Sequence, residues 1–189
     1  HTQRRRQRQM CIRDRRVRGT GDARAPFFTD QDEKRLLYEL SQMSNKNHLR
    51  LTKLALTTGF RRSELLSLTW RNIDLKKRVI YIHRKNCAAI DDSSVLRLVP
   101  LPEKAEKILE ESNERNGKVI ELSKGAARNG FDKARKRAGL QTLRFHDLRH
   151  IAISRMWSSG MNALEISACS GHRDIKMLMR YSHYELSLL

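Results

Sequence analysis

Cysteine is scarce: Cys11, Cys87 and Cys169 are the only three in 189 residues. Scattered in this way they form neither a disulfide framework nor a CxxC metal pair, and a reducing cytoplasm is the expected setting. Long apolar runs are missing as well. No stretch approaches the ~18–20 residues of a transmembrane helix, so a membrane partner is not expected. The N-terminus is positively charged, but no apolar segment follows it, so this stretch is not expected to be a secretory signal. Acids are in deficit: 21 Asp and Glu face 39 Lys and Arg, for a net charge of +18. Such a balance suggests a polyanionic partner, usually nucleic acid, against the plainer alternative of a solvated basic surface. There are no internal repeats.

What is present is unevenly distributed. Residues 1–18 hold eight arginines and one aspartate, so this tail contributes +7 and leaves +11 for the rest. The tail has neither apolar periodicity nor a helix cap and is expected to be disordered. Its "MCIRDR" resembles translated sequencing-adapter sequence, which raises a non-native origin; the alternative is a basic arm on DNA. "GTGDARAP" (19–26) reads as a linker, so residues 1–25 are set apart as tail and linker and 26–189 as one domain. The 39% hydrophobic content suffices for one ordinary core, and the length fits one domain.

Within 26–189 helical patterns dominate. Thr29 is read as an N-cap, with acids in the following turn. Leu36, Leu37, Leu40 and Met43 then form a stripe at helical spacing. A second helix is predicted over about 47–57, stopped by Gly59, and a short third restarts near Arg62. The period then changes. "RVIYIHRKN" (78–86) and "SVLRLVPLP" (94–102) read as strands, with a third short strand at 72–75. Helices follow over 103–117, closed by Gly117, and after Ser123, where Ala127, Phe131, Ala134 and Ala138 make the apolar face. The other face of that helix is expected to carry Lys124, Arg128, Lys133, Arg135, Lys136 and Arg137 as a DNA-binding surface. A helix from His146 to Gly160, a short one capped by Asn162, and a last one over "DIKMLMRYSHYEL" complete a mostly helical α+β domain with one small antiparallel sheet.

"RFHDLRH" (144–150) is the densest cluster of chemistry-bearing side chains. His146 and His150, at i and i+4, could share a helix face and bind zinc, but that needs a third ligand and usually a carboxylate base. His146-Asp147 is also a weak match to HD-type phosphohydrolases. The plainest reading is a basic helix start. Three further stretches change the balance: "TTGFRRSELLSLTWRNIDL" (57–75), "HRKN" (83–86) and "SGHRDIKMLMRYSH" (170–183). In this order and spacing the four resemble the catalytic domain of the tyrosine recombinases, or phage-type integrases, over about residues 27–185.

The resemblance implies a specific chemistry. Attack on a DNA phosphodiester builds negative charge on the nonbridging oxygens, and fixed donors stabilise it. Arginine suits this because its planar fork reaches two oxygens and stays charged. Arg61 matches the family's first arginine, with Arg62 the neighbouring competitor, and Arg149 matches the second. His146 and His172 match positions that hydrogen-bond the phosphate and help move protons, and histidine titrates near neutrality. Tyr181 matches the nucleophile, with Tyr184 as the rival. A phenol titrates near 10 and needs positive charge or a base nearby to attack. The implied product is a 3′-phosphotyrosyl enzyme with a free 5′-hydroxyl. No cofactor, ATP or metal is called for, because the link conserves the bond energy. Lys85, after a predicted strand, matches the general-acid lysine, and Glu64 matches the family's supporting acidic position. His150 is expected to be structural.

Two departures stand out. Ser170 precedes Gly171 where the family often has leucine, and the family's N-terminal core-binding domain has no counterpart in these residues, which suggests a truncated gene or a fragment. The implied partner is double-stranded DNA at attachment or recombination sites, bound by a homo-tetramer, with accessory DNA-bending proteins in some systems. Rival readings are a catalytically silent DNA-binding remnant and a type IB topoisomerase-like enzyme.

Overall fold

A computed structural model describes residues 28–83, 96–112, 115–172 and 174–178. The basic tail and its linker lie outside the described residues. Helix α1 (Asp30–Ser41) begins where the sequence places it. Thr29 is extended, its Oγ1 accepts the Asp32 N–H at 3.1 Å, and the Asp32 carboxylate accepts the Thr29 N–H at 2.9 Å. This reciprocal box satisfies two backbone donors that have no partner inside the helix. Helix α2 (Asn47–Thr58) ends at Gly59, whose left-handed φ of 64° is a conformation that glycine adopts without strain. Helix α3 (Arg62–Ser67) follows after two residues of turn and one cap, Arg61.

A single 3-10 turn (Trp70–Asn72) leads into strands β1 (Ile73–Asp74), β2 (Val79–His83) and β3 (Leu96–Pro100). They form one antiparallel sheet in the order β1-β2-β3. Ile80 lies opposite Val99 and Ile82 opposite Arg97, so Arg97 occupies a position on the inward face. Helix α4 (Glu103–Glu110) is shorter than the sequence pattern suggests. Past Glu111 the chain enters polar residues such as Ser112 and Asn116, which favour turns over helix. Gly117 does not close the helix. With φ of 67° it turns the chain into a bridge, where the Trp70 N–H reaches its carbonyl at 3.0 Å and Thr69 pairs with Lys118.

Helix α5 (Lys124–Arg137) is capped by Ser123, whose Oγ accepts the Ala126 N–H. Helix α6 (Asp147–Ser158) follows His146, and α7 (Ala163–Ser170) is capped by Asn162 and ends at Gly171, again left-handed at φ 72°. Of the expected last helix, the described part is a 3-10 turn, Ile175–Met177. Helix α2 is the hub: it packs on α1, α3, α4, α5 and α6. Its Leu51, Leu54 and Ala55 are each about 1% exposed. Helix α7 touches both α6 and β3, and so ties the sheet to the helical body. The architecture is the expected one, mostly helical α+β with one small antiparallel sheet. No helix among the described residues is long and apolar enough to cross a membrane.

Because α2 serves so many neighbours, Leu54→Ala is expected to lower stability by about 2–5 kcal/mol. Leu98→Ala, at a strand position 59% exposed, is expected to change it by less than about 0.5 kcal/mol. Urea denaturation of both variants checks the contrast.

Candidate active site

Three short segments converge: the turn Gly59–Phe60–Arg61 after α2, the first turn of α6, and the turn Gly171–His172 after α7. Arg149, in α6, is only 3% exposed. Its Nη1 donates to the Gly59 carbonyl at 2.7 Å. Its Nη2 lies 3.3 Å from each ring nitrogen of His172. Arg61 caps α3, and its backbone N–H donates to Glu64 Oε2 at 2.8 Å. Its Nη1 meets Glu64 Oε1 at 3.0 Å and its Nη2 donates to the Gly171 carbonyl at 3.2 Å. The contacts therefore close a ring: Arg149 holds Gly59, Arg61 holds Gly171, and His172 returns to Arg149. The Arg61 side chain remains 43% exposed, so its guanidinium is held at one end and open to a ligand at the other.

Glu64, at 8% exposure, also faces Arg97, whose Nη2 lies 3.5 Å from Oε2. Arg97 is 7% exposed and packs over the Phe60 ring, with 5.5 Å to the centroid. A side chain at position 171 would collide with its guanidinium, which is a second reason for glycine there. Burial lowers the Arg97 pKa and the Glu64 carboxylate opposes that shift; an arginine stays protonated in any case. Arg97 was not singled out by the sequence reading. Its signal in the sequence was a charge within an apolar strand; that it faces inward, opposite Ile82, is set by the register of the sheet.

His172 is anchored twice by α7. The Ser167 hydroxyl donates to its carbonyl at 2.7 Å, and Ser170 Oγ lies 2.7 Å from its Nδ1. Burial first, then the charges of Arg149 and Arg61, lower its pKa to about 4. His146, at the start of α6, meets His150 edge-to-face at 4.9 Å. Burial is the main cause that lowers both of their pKa values, reinforced for His146 by Arg149 and for His150 by His146. Asp147 is 3% exposed and accepts the Arg144 N–H at 2.8 Å and its Nη2 at 3.1 Å. This carboxylate fastens the turn into α6.

Arg61 and His146 also line a groove of about 540 Å³, together with Arg62, Arg128, Arg135 and Arg144. Arg62 lies over the Phe145 ring. The six basic residues expected to share one face of α5 do not do so. Arg128 and Arg135 line this groove, whereas Arg137 borders a second one beside Lys34 and Tyr38 of α1. Lys124, Lys133 and Lys136 are exposed. The helical repeat explains the spread, since Lys133 and Arg137 sit around the helix from Arg128 and Arg135. Arg135 is moreover engaged by Asp132 at 2.7 Å. The structure thus gathers Arg61, Glu64, Arg149 and His172, with His146 on the adjoining groove. Lys85, Tyr181 and Tyr184 lie outside the described residues.

With this geometry in view, the comparisons with known proteins are specific. The model of the phage integrase family matches residues 26–186. The chain belongs to the phage integrase family. It is 38% identical over 133 residues to a shufflon-specific DNA recombinase of Escherichia coli, covering 69% of this chain and 33% of that protein. It is 28% identical over 174 residues to the integrase of Salmonella phage P22, covering 85% of this chain and 44% of that one. The chain thus spans less than half the length of these relatives. Among solved structures it resembles the catalytic domain of bacteriophage HP1 integrase, with 25% identity and a TM-score of 0.68, covering 84% of this chain and 87% of that one. The fold is that of a tyrosine-recombinase catalytic domain.

Two outcomes are expected from this arrangement. His48, His146, His150 and His172 are all less readily protonated in the folded chain than the ordinary 6.5. The unfolded chain therefore takes up protons first as pH falls. The stability that comes from keeping these rings neutral is complete above about pH 6.5 and is lost as pH drops from there toward 4. Urea midpoints measured across that window should fall, and His172→Asn should flatten the slope. Second, Glu64→Leu strips the counter-charge from buried Arg97 and should destabilise by about 3–5 kcal/mol. Adding Arg97→Met should restore part of that loss in the same denaturation measurement.

Proposed function

We propose that this domain cleaves and rejoins DNA as a site-specific recombinase, through a 3′-phosphotyrosyl intermediate and without metal or ATP. The observation that carries this reading is the closed ring of Arg61, Arg149 and His172, set beside a groove lined by further arginines. Arg61 and Arg149 hold the nonbridging oxygens of the scissile phosphate and offset the charge that develops on them. Glu64 fixes Arg61 through two contacts, one to its guanidinium and one to its backbone N–H. Tyr181 attacks phosphorus: its oxygen forms the new bond, the bond to the 5′-oxygen breaks, and Lys85 gives that leaving oxygen its proton. His146 and His172 serve the phosphate and the proton transfers. Rejoining is the reverse, with the free 5′-hydroxyl as attacking group.

The substrate in this reading is double-stranded DNA, whose backbone follows the groove past Arg128 and Arg144. Lys124, Lys133, Lys136 and Arg137 remain candidates for phosphate contacts farther along the duplex. Such contacts position a protein without specifying sequence. A homo-tetramer on paired sites, accessory DNA-bending proteins and a cytoplasmic location complete the proposal.

Covalent trapping tests it. On nicked DNA carrying the flanks of its source element, the protein should form an adduct that survives denaturation and maps to Tyr181. Tyr181→Phe should abolish the adduct, and Arg61→Gln should slow its formation by about 10²–10³-fold. Salt-sensitive binding with no adduct would instead support a silent DNA-binding remnant.

A further inference from the structure

The Ser170 hydroxyl is fully buried, at 0% exposure, and has two close neighbours. One is the Ile166 carbonyl at 2.6 Å, and the other is Nδ1 of His172 at 2.7 Å. A hydroxyl carries one proton and a carbonyl oxygen carries none. At such a separation the carbonyl must be receiving that proton, since two bare oxygens would repel. Ser170 Oγ then has only lone pairs to offer Nδ1, so Nδ1 bears hydrogen and donates it. In a neutral imidazole the other nitrogen is consequently bare. Arg149 does not fill that place. Its Nη2 is equally far, 3.3 Å, from both ring nitrogens. A donor in the ring plane at equal distances would collide with Cε1, so this nitrogen sits over the ring face.

We infer that Ser170 is a positioning residue that holds His172 in the Nδ1–H tautomer and leaves Nε2 as a proton acceptor. A leucine at position 170 has no hydroxyl with which to do this. The groups that face the ring are Arg149 and His150 from α6, Arg61 from the turn before α3 and Arg97 from β3, with Glu64 between the two latter arginines. Burial first, and then this cationic surround, keep the ring neutral in the free protein, with a pKa of about 4. The inference rests on the recombinase reading and deepens it. A bare Nε2 repels a phosphate oxygen and accepts an acidic hydrogen. As the attacking hydroxyl oxygen bonds to phosphorus, its proton passes to Nε2. The ring becomes an imidazolium, and the new Nε2–H donates to the phosphate. His172 is thus an acceptor first and a donor second.

Long-range 1H–15N correlation spectra of the labelled full chain, without DNA and near neutral pH, read the tautomer directly. His172→Asn assigns the signal. The expected result is a pyrrole-type Nδ1 and a pyridine-type Nε2 in the wild type. Ser170→Ala should move the population toward Nε2–H, while Ser170→Thr, which keeps the hydroxyl, should retain the wild-type pattern. An Nε2–H ring in the wild type, or an unchanged ring in Ser170→Ala, overturns the proposal. In the trapping assay Ser170→Ala should slow adduct formation by about tenfold or more, with threonine restoring it. A Ser170→Ala protein with a shifted tautomer and a wild-type rate at every pH overturns the acceptor role. Failure of the wild type to form any adduct would remove the recombinase reading alone, because the tautomer is measured without DNA.

Discussion

Burying the guanidinium of Arg149 constrains everything around it. A charge removed from water needs oxygen or π density close by, and at 3% exposure that density must come from the protein. The Gly59 carbonyl and the face of His172 supply part of it. To present a carbonyl there, α2 has to stop and turn in the left-handed region. To present the imidazole, α7 has to stop in the same way at Gly171. Both helix ends are therefore dictated by one side chain on a third helix. The same two turns also place Arg61, which caps α3 two residues after Gly59 and reaches back to the Gly171 carbonyl. Displacing any one of the three segments would loosen the other two.

The second buried arginine works differently. Arg97 comes from the sheet and shares Glu64 with Arg61, so one carboxylate serves two guanidiniums of unequal exposure. The pair with Arg97 is enclosed, and the pair with Arg61 opens toward solvent. A site built in this way holds more positive than negative charge before any ligand arrives. Its donors are already oriented, so an incoming anion need not reorganise them, which is the condition under which such groups contribute most to a transition state. The unfavourable self-repulsion of the empty site is offset by burial of the surrounding apolar core, with Phe60 at 1% exposure beneath Arg97.

Much of this was legible in the sequence. Thr29, Ser123 and Asn162 announced helix starts by side-chain chemistry, and Gly59 announced a helix end, because capping is a local interaction that needs no knowledge of the fold. Arg61, Glu64, Arg149 and His172 were legible through their family spacing. The basic face of α5 was misread because composition was counted without the 3.6-residue repeat, which sends Arg137 and Arg128 to different grooves. The 103–117 helix was overextended because Gly117 looks like a helix stop, whereas its role is set by a distant partner, the N–H of Trp70. Arg97 was missed for a related reason. A single arginine in a strand gives no hint of which face it takes until the register opposite Ile82 is known.

The neutral histidines and the surplus of arginine are two sides of one balance. His146, His150 and His172 hold their protons poorly because they are buried beside cations. A phosphodiester bound between Arg61 and Arg149 would bring a negative charge to the same place and raise the proton affinity of each ring. By linkage, whatever factor the phosphate adds to proton affinity, the proton adds to phosphate affinity. In the proposed reaction the attacking group itself releases a proton at the moment when negative charge on the phosphate is greatest. An imidazole kept neutral until then can take up that proton and stabilise the charge in one motion. A histidine already protonated in the free protein would bind the ground state more tightly, but it would have no lone pair left to accept the proton.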